Sequence, residues 1–250
     1  MALMIEKLLG LVMVLTRISA FFLVIPVFSW LSIPVRIKVA VALLLSIFFS
    51  MAMSLPFDAG QISVLEAVLL LSNEAIYGLA LGLIVAIVFA AVNLGARMIE
   101  REIGFEMAEV LDPLTGETTQ PLSSLLEMIF IILFLSANGH HLFLSIISQS
   151  YEAFPAGSIP TISVLTSGII RAGSALLVAG LKLAAPIMAA FLILMVVLAV
   201  LARIVPEMDI LFMSLPMRVG LGFIMVIIFL PFFNSYMTEF AELMDKLLPL

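Results

Sequence analysis

At 250 residues, 64% hydrophobic and only 11% charged, with a mean hydropathy of +1.32, the chain is too apolar for a water-soluble domain. Its 11 Lys and Arg against 17 Asp and Glu give a formal charge of -6, which excludes the basic footprint of a nucleic-acid binder. The absence of cysteine and the presence of only two histidines exclude disulfide frameworks, thiolate metal sites and cysteine nucleophiles.

Crossing a hydrocarbon layer about 30 Å thick takes a helix of about 20 apolar residues, so uncharged runs are the natural unit of reading. The first 30 residues carry Glu6 and Lys7 ahead of an apolar stretch without a small-residue cleavage site, which reads as a retained helix interrupted by Arg17. Uncharged runs follow at 39–57, 75–96, 128–151, 183–202 and 219–238, making about six spans. The uncharged stretch 153–170 contains Pro155, Gly157 and Pro160 and reads as a loop followed by a helix from near Thr161. That helix either runs through Arg171 and Lys182 into the next span or stands alone as a short one. Prolines 26, 34, 56, 186, 206, 216 and 231 fall in or beside the spans and predict kinked helices whose freed carbonyls find protein partners. No alternating short strands of a β-barrel are present, so the fold class is all-α: a polytopic integral membrane protein of about six kinked hydrophobic helices.

Basic residues orient the spans. Arg36, Lys38, Arg97, Arg101, Arg203 and Arg218 follow spans one, three and five, while Lys7 and Lys246 lie toward the termini on the other side, which predicts both termini outside.

One segment, 97–127, gathers nine charged residues and is the obvious functional suspect. On a helix, Arg97 and Arg101 take one side and Glu102, Glu106 and Glu109 the other, with Gly104 weakening the helix midway. Asp112, Pro113 and Gly116 have turn chemistry, and Pro121 suits the first turn of a new helix, so a mobile loop is expected between Gly104 and Pro121.

Charges within apolar runs need protein or water around them. Arg17, Glu74 and Lys182 are therefore read either as part of an ion or substrate pathway or as ion pairs that fix helix packing. Small residues at Gly78 and Gly82, and at Gly168, Ala172 and Gly173, predict close helix approach. Asn138-Gly139-His140-His141 reads as a polar turn or a site of inter-helix hydrogen bonding rather than a metal site, since consecutive helical residues point about 100° apart. Met208, Met213 and Met217 crowd one loop, where thioethers either seal an irregular pore or fill gaps between helices. No nucleophile elbow, zinc-protease motif, phosphate loop or dinucleotide fingerprint is present, so no catalytic residue, cofactor or metal is assigned.

Taken together and in order, several strings resemble the FliR export-gate family of flagellar type III secretion. They are Arg17-Ile-Ser-Ala-Phe-Phe with Pro26, Asn73-Glu74 before Gly78 and Gly82, Gly104-Phe105 and Asp112-Pro113, and Asn138-Gly139-His140-His141. Leu181-Lys182-Leu183-Ala184-Ala185-Pro186, then Arg203 to Asp209 and Leu215-Pro216, complete the series. Asp209 stands where the family usually has Asn, and Ser214 where Gly is usual. The resemblance runs nearly end to end, and the Asn-Gly-His-His string favours the flagellar over the virulence branch.

The resemblance implies a non-enzymatic subunit that assembles with FliP and FliQ subunits into a helical export-gate spiral, a protein-conducting channel in the bacterial inner membrane at the flagellar basal body. An export switch protein of the FlhB type is a further implied partner, and exported flagellar proteins are the substrates. It implies a FliP-like portion over 1–180 and a FliQ-like hairpin over 181–250, and a plug across the channel formed by the central loop. Phe105, Met107, Val110 and Leu111 are then the apolar seal, Glu106, Glu109 and Asp112 keep the loop solvated, and Gly104 and Gly116 supply hinges. Arg17 or Lys182 is expected to pair with an acid of a partner subunit. A secondary transporter of a small solute is the alternative, but no inverted repeat with matching interrupted helices is visible; a membrane-embedded enzyme lacks a catalytic constellation.

Overall fold

The computed structural model describes residues 2–29, 33–52, 63–104, 120–158, 162–205, 210–232 and 236. All regular elements among them are helical: α1 (Ala2–Val24), α2 (Pro26–Ser29), α3 (Val35–Ala52), α4 (Val64–Ile103), α5 (Pro121–Ser136), α6 (Gly139–Ala153), α7 (Ile162–Ile204), α8 (Ile210–Phe229) and a 3-10 turn at Leu230–Phe232. Among the described residues four helices, α1, α4, α7 and α8, are long and apolar enough to cross a membrane, or up to five when α5 and α6 count as one broken span. The apolar run expected at 39–57 is represented by the 18-residue α3, and its continuation past Ala52 lies outside the described residues.

Two sequence expectations change, and of the two alternatives left open beyond Thr161 the continuous helix is the one found. The run 128–151 is two helices, because Asn138 adopts the left-handed conformation (φ 61°, ψ 28°) and Gly139 then opens α6. Asn tolerates that backbone where most residues do not. The stretch beyond Thr161 is no separate short helix, since α7 runs unbroken for 43 residues past Arg171 and Lys182. Gly104 does not weaken a longer helix; it ends α4, with φ 93° and its N–H donating to the Glu100 and Arg101 carbonyls at 3.2 and 3.1 Å. Helices α4 and α7, at 40 and 43 residues, are each about 60 Å long at 1.5 Å per residue, roughly twice the hydrocarbon thickness.

The described residues form two compact units, one from segments 1–89 and 138–174, the other from 90–137 and 175–240. In the first, α1 buries Met13, Val14, Arg17, Ile18 and Phe21, a stripe at spacings of three and four, and α3 packs against α1 while burying Ala42, Ser46 and Phe49. The opposite face of α3 is equally apolar, with Leu44, Phe48 and Met51 exposed. Helix α4 starts with a capping box: the Ser63 N–H donates to Glu66 Oε2 at 2.9 Å, and the Glu66 N–H to Ser63 Oγ at 3.3 Å. Gly78 and Gly82 bring the backbone of α4 against α1; a Cβ at Gly82 would stand 2.8 Å from the Phe21 carbonyl oxygen. Gly173 has open space around it, so the close approach expected there does not occur.

In the second unit α4 and α7 touch backbone to backbone through Gly95 and Gly180, where a Cβ on either would meet a carbonyl oxygen of the other helix at 2.9 Å. Pro186 lies inside α7 and has no N–H for the carbonyl of Lys182 four residues earlier. That carbonyl accepts instead from the Tyr236 hydroxyl at 3.4 Å. Because the bond is exposed, Tyr236→Phe is expected to cost only about 0.5 kcal/mol in detergent unfolding. The same substitution should cost nothing once Pro186→Ala restores the helix donor, which a double-mutant cycle reads directly.

Candidate functional site

The first unit is organised around a charge buried in an apolar stripe. Arg17, 2% exposed, and Glu74, 1% exposed, form an ion pair with Nε to Oε2 at 2.6 Å. One terminal nitrogen of Arg17 donates to the Ser150 and Phe154 carbonyls at 3.2 and 3.1 Å, and the other donates to Phe154 at 3.2 Å. The Ser150 carbonyl already accepts the Phe154 N–H at 3.0 Å, whereas the Phe154 carbonyl lies past the last turn of α6; both sit at the negative end of the helix dipole, which favours a guanidinium there. The Arg17 guanidinium also lies over the Tyr151 ring at 4.0 Å and near the Tyr77 ring at 4.9 Å.

Glu74 uses its second oxygen as well: Oε1 accepts the Gly157 N–H at 2.9 Å. Gly157 (φ 84°) is the third residue of a turn closed by the Ser158 N–H donating to the Pro155 carbonyl at 3.0 Å, a position where a positive φ calls for glycine. One pair of side chains thus ties α1, α4, the end of α6 and the turn that follows. Neither charge is left to water: each is answered by the other and by main-chain groups of the same unit.

Arg17 finds its acid in its own chain, where the sequence expectation sought it in a partner subunit. Lys182 is not brought to this centre; its side chain is exposed on α7. His140 and His141 are likewise exposed, with ring centroids 4.4 Å apart at the start of α6. Sequence reasoning missed Tyr77, Ser150 and Tyr151. The signal available was their rarity: the chain has three tyrosines, and two of them face Arg17.

A second cluster lies in the other unit, at the base of the charged central segment. Glu100, 4% exposed on α4, accepts the Leu122 N–H at 3.2 Å, the Ser123 N–H at 3.1 Å and the Ser123 hydroxyl. Seven residues earlier, Asn93 donates to Glu127 Oε2 at 2.7 Å. The two ties run in opposite order on the two helices, so this part of α4 and α5 are antiparallel neighbours. Gly104 is described at the end of α4, whereas Phe105, Glu106, Met107, Glu109, Val110, Leu111, Asp112, Pro113 and Gly116 lie outside the described residues. Glu100 was counted among the charges of this segment but not singled out, because its partners are backbone groups that no side-chain pattern displays.

Long apolar helices and an internally neutralised buried ion pair among the described residues define a polytopic helical membrane protein. The profile of bacterial export proteins, family 1, matches residues 8–244, and the chain belongs to that family. It is 29% identical over 223 residues to the flagellar biosynthetic protein FliR of Bacillus subtilis, covering 86% of this chain and 84% of the relative. To FliR of Escherichia coli it is 27% identical, covering 93% and 89%, and to FliR of Aquifex aeolicus 26%, covering 94% and 90%.

Proposed function

We propose that the protein is a non-enzymatic structural and gating subunit of the flagellar type III export gate, working in the bacterial inner membrane at the flagellar basal body. It assembles with FliP and FliQ subunits into a helical, protein-conducting channel, with an FlhB-type switch protein nearby and flagellar proteins as cargo. The observation that carries this reading is family membership over almost the whole chain, joined to helices whose apolar surfaces need neighbours. Helix α8 shows this most: only 6% of Phe212–Phe229 is buried, and Phe212, Phe223, Ile224, Ile227 and Ile228 are exposed. Helices about 60 Å long suit a subunit that is covered by other subunits along part of its length and by lipid along the rest.

Within this reading the segment 104–120 is the plug, with Phe105, Met107, Val110 and Leu111 as its apolar seal and Gly104 and Gly116 as hinges. The exposed Lys182 is a contact to an acid of a neighbouring subunit, and the portion beyond residue 180 is the FliQ-like part. The experiment is deletion of the gene in its own host, complemented either by the intact chain or by one lacking residues 106–119. Loss of flagellar protein secretion without the gene, rescue by the intact chain, and a rise in ion leakage with the shortened chain are expected. Secretion that persists without the gene overturns the function, and unchanged leakage removes the plug.

A further inference from the structure

The start of α5 takes its cap from another helix. Gln120 holds the N-cap position but makes no side-chain cap bond. Pro121 has no N–H to satisfy, the Leu122 and Ser123 N–H groups both point to the Glu100 carboxylate, and the Ser124 N–H already reaches the Gln120 carbonyl at 3.1 Å. Every backbone donor of the first turn is thereby accounted for, and the negative charge sits at the positive end of the helix dipole. The same residue serves the end of α4, where its backbone carbonyl accepts the Gly104 N–H at 3.2 Å.

We propose that Glu100 is a positioning residue that clamps the two described ends of the central segment together, its main chain holding the exit from α4 and its carboxylate holding the entrance to α5. A helix normally supplies its own cap within the N-cap residue, and that arrangement would fix α5 without fixing its distance from α4. Placing the cap on α4 couples the two. Asn93 to Glu127 repeats the tie two turns away, so the hairpin is held at two levels by side chains on one face of α4. Any movement of the segment between them must then start from fixed ends. That consequence rests on the plug reading, whereas the clamp itself does not.

The test is hydrogen exchange on the full chain in detergent and in the assembled complex. In Glu100→Ala the Leu122 and Ser123 amides should exchange about tenfold faster, since they lose their acceptor. Adding Gln120→Asp, which returns an acceptor from the local N-cap position, should restore their protection while leaving the Asn93 to Glu127 tie untouched. Glu100→Gln keeps one acceptor oxygen and the side-chain shape, so it should fold and show an intermediate loss, and it serves if Glu100→Ala does not fold. Unchanged exchange in both Glu100 variants, or failure of Gln120→Asp to rescue, overturns the clamp. Ion leakage of the assembled complex separates the two ideas: leakage in Glu100→Ala that Gln120→Asp does not cure, despite restored amide protection, supports coupling of the ends to the plug. Lost protection with a tight channel leaves the clamp in place and counts against the plug reading.

Discussion

Replacing Glu74 with alanine is expected to destabilise the chain by about 3–5 kcal/mol, because it leaves the Arg17 guanidinium buried without its counter-ion. Arg17→Ala should cost a similar amount, since it strands the Glu74 carboxylate and also frees the Phe154 carbonyl. The double replacement Arg17→Met with Glu74→Leu is expected to recover most of the loss, as both charges leave together and only the Phe154 carbonyl and the Gly157 N–H are left unserved. Thermal unfolding in mild detergent, read on all three variants, checks this. If the single variants match the parent, the pair carries no packing role. If the double variant is as poor as the worse single one, the bonds to Ser150 and Phe154 outweigh the ion pair itself.

Gly78→Val should be comparably damaging by a steric route. A Cβ at Gly78 falls within van der Waals distance of the Arg17 carbonyl oxygen, 2.9 Å from Ala20 Cβ and 3.0 Å from the Arg17 carbonyl carbon. Two of these three atoms are backbone and cannot rotate away, so α1 must shift off α4. That shift draws Arg17 from Glu74, and the cost adds overpacking of about 1–3 kcal/mol to part of the ion-pair loss. Gly173→Ala is the matched control: nothing lies within 4 Å of the added Cβ, and a helix interior gains about 0.5–1 kcal/mol from Ala over Gly. The same unfolding assay should therefore move in opposite directions for the two glycines, and equal effects would contradict the packing described for α1 and α4.

The two glycines also show how far the sequence could be read. Spacing marked both Gly78 and Gly173 as points of helix approach, but only a neighbouring helix decides which is used, and sequence alone does not place α1 beside α4. Arg17 and Glu74 were legible as charges that lipid would penalise, and their separation of 57 positions hid that they answer each other. The spans were legible because apolar length has a physical meaning in a bilayer. A polar turn was one of two readings of the string at Asn138, but hydropathy could not choose it, since a left-handed residue inside a long apolar run costs that pattern nothing. Glu100 escaped for a different reason: it serves main-chain donors, and a sequence displays side chains only.

Family membership leaves open which subunits cover the apolar faces, and the claim that matters most is that FliP and FliQ do. Co-expression of the tagged chain with the FliP and FliQ proteins of its own host, gentle extraction and native mass spectrometry tests this most directly. One complex is expected, in which a single copy of this chain is joined to several copies of both partners. A lone monomer or a self-oligomer, under conditions where FliP and FliQ remain assembled with each other, would contradict it.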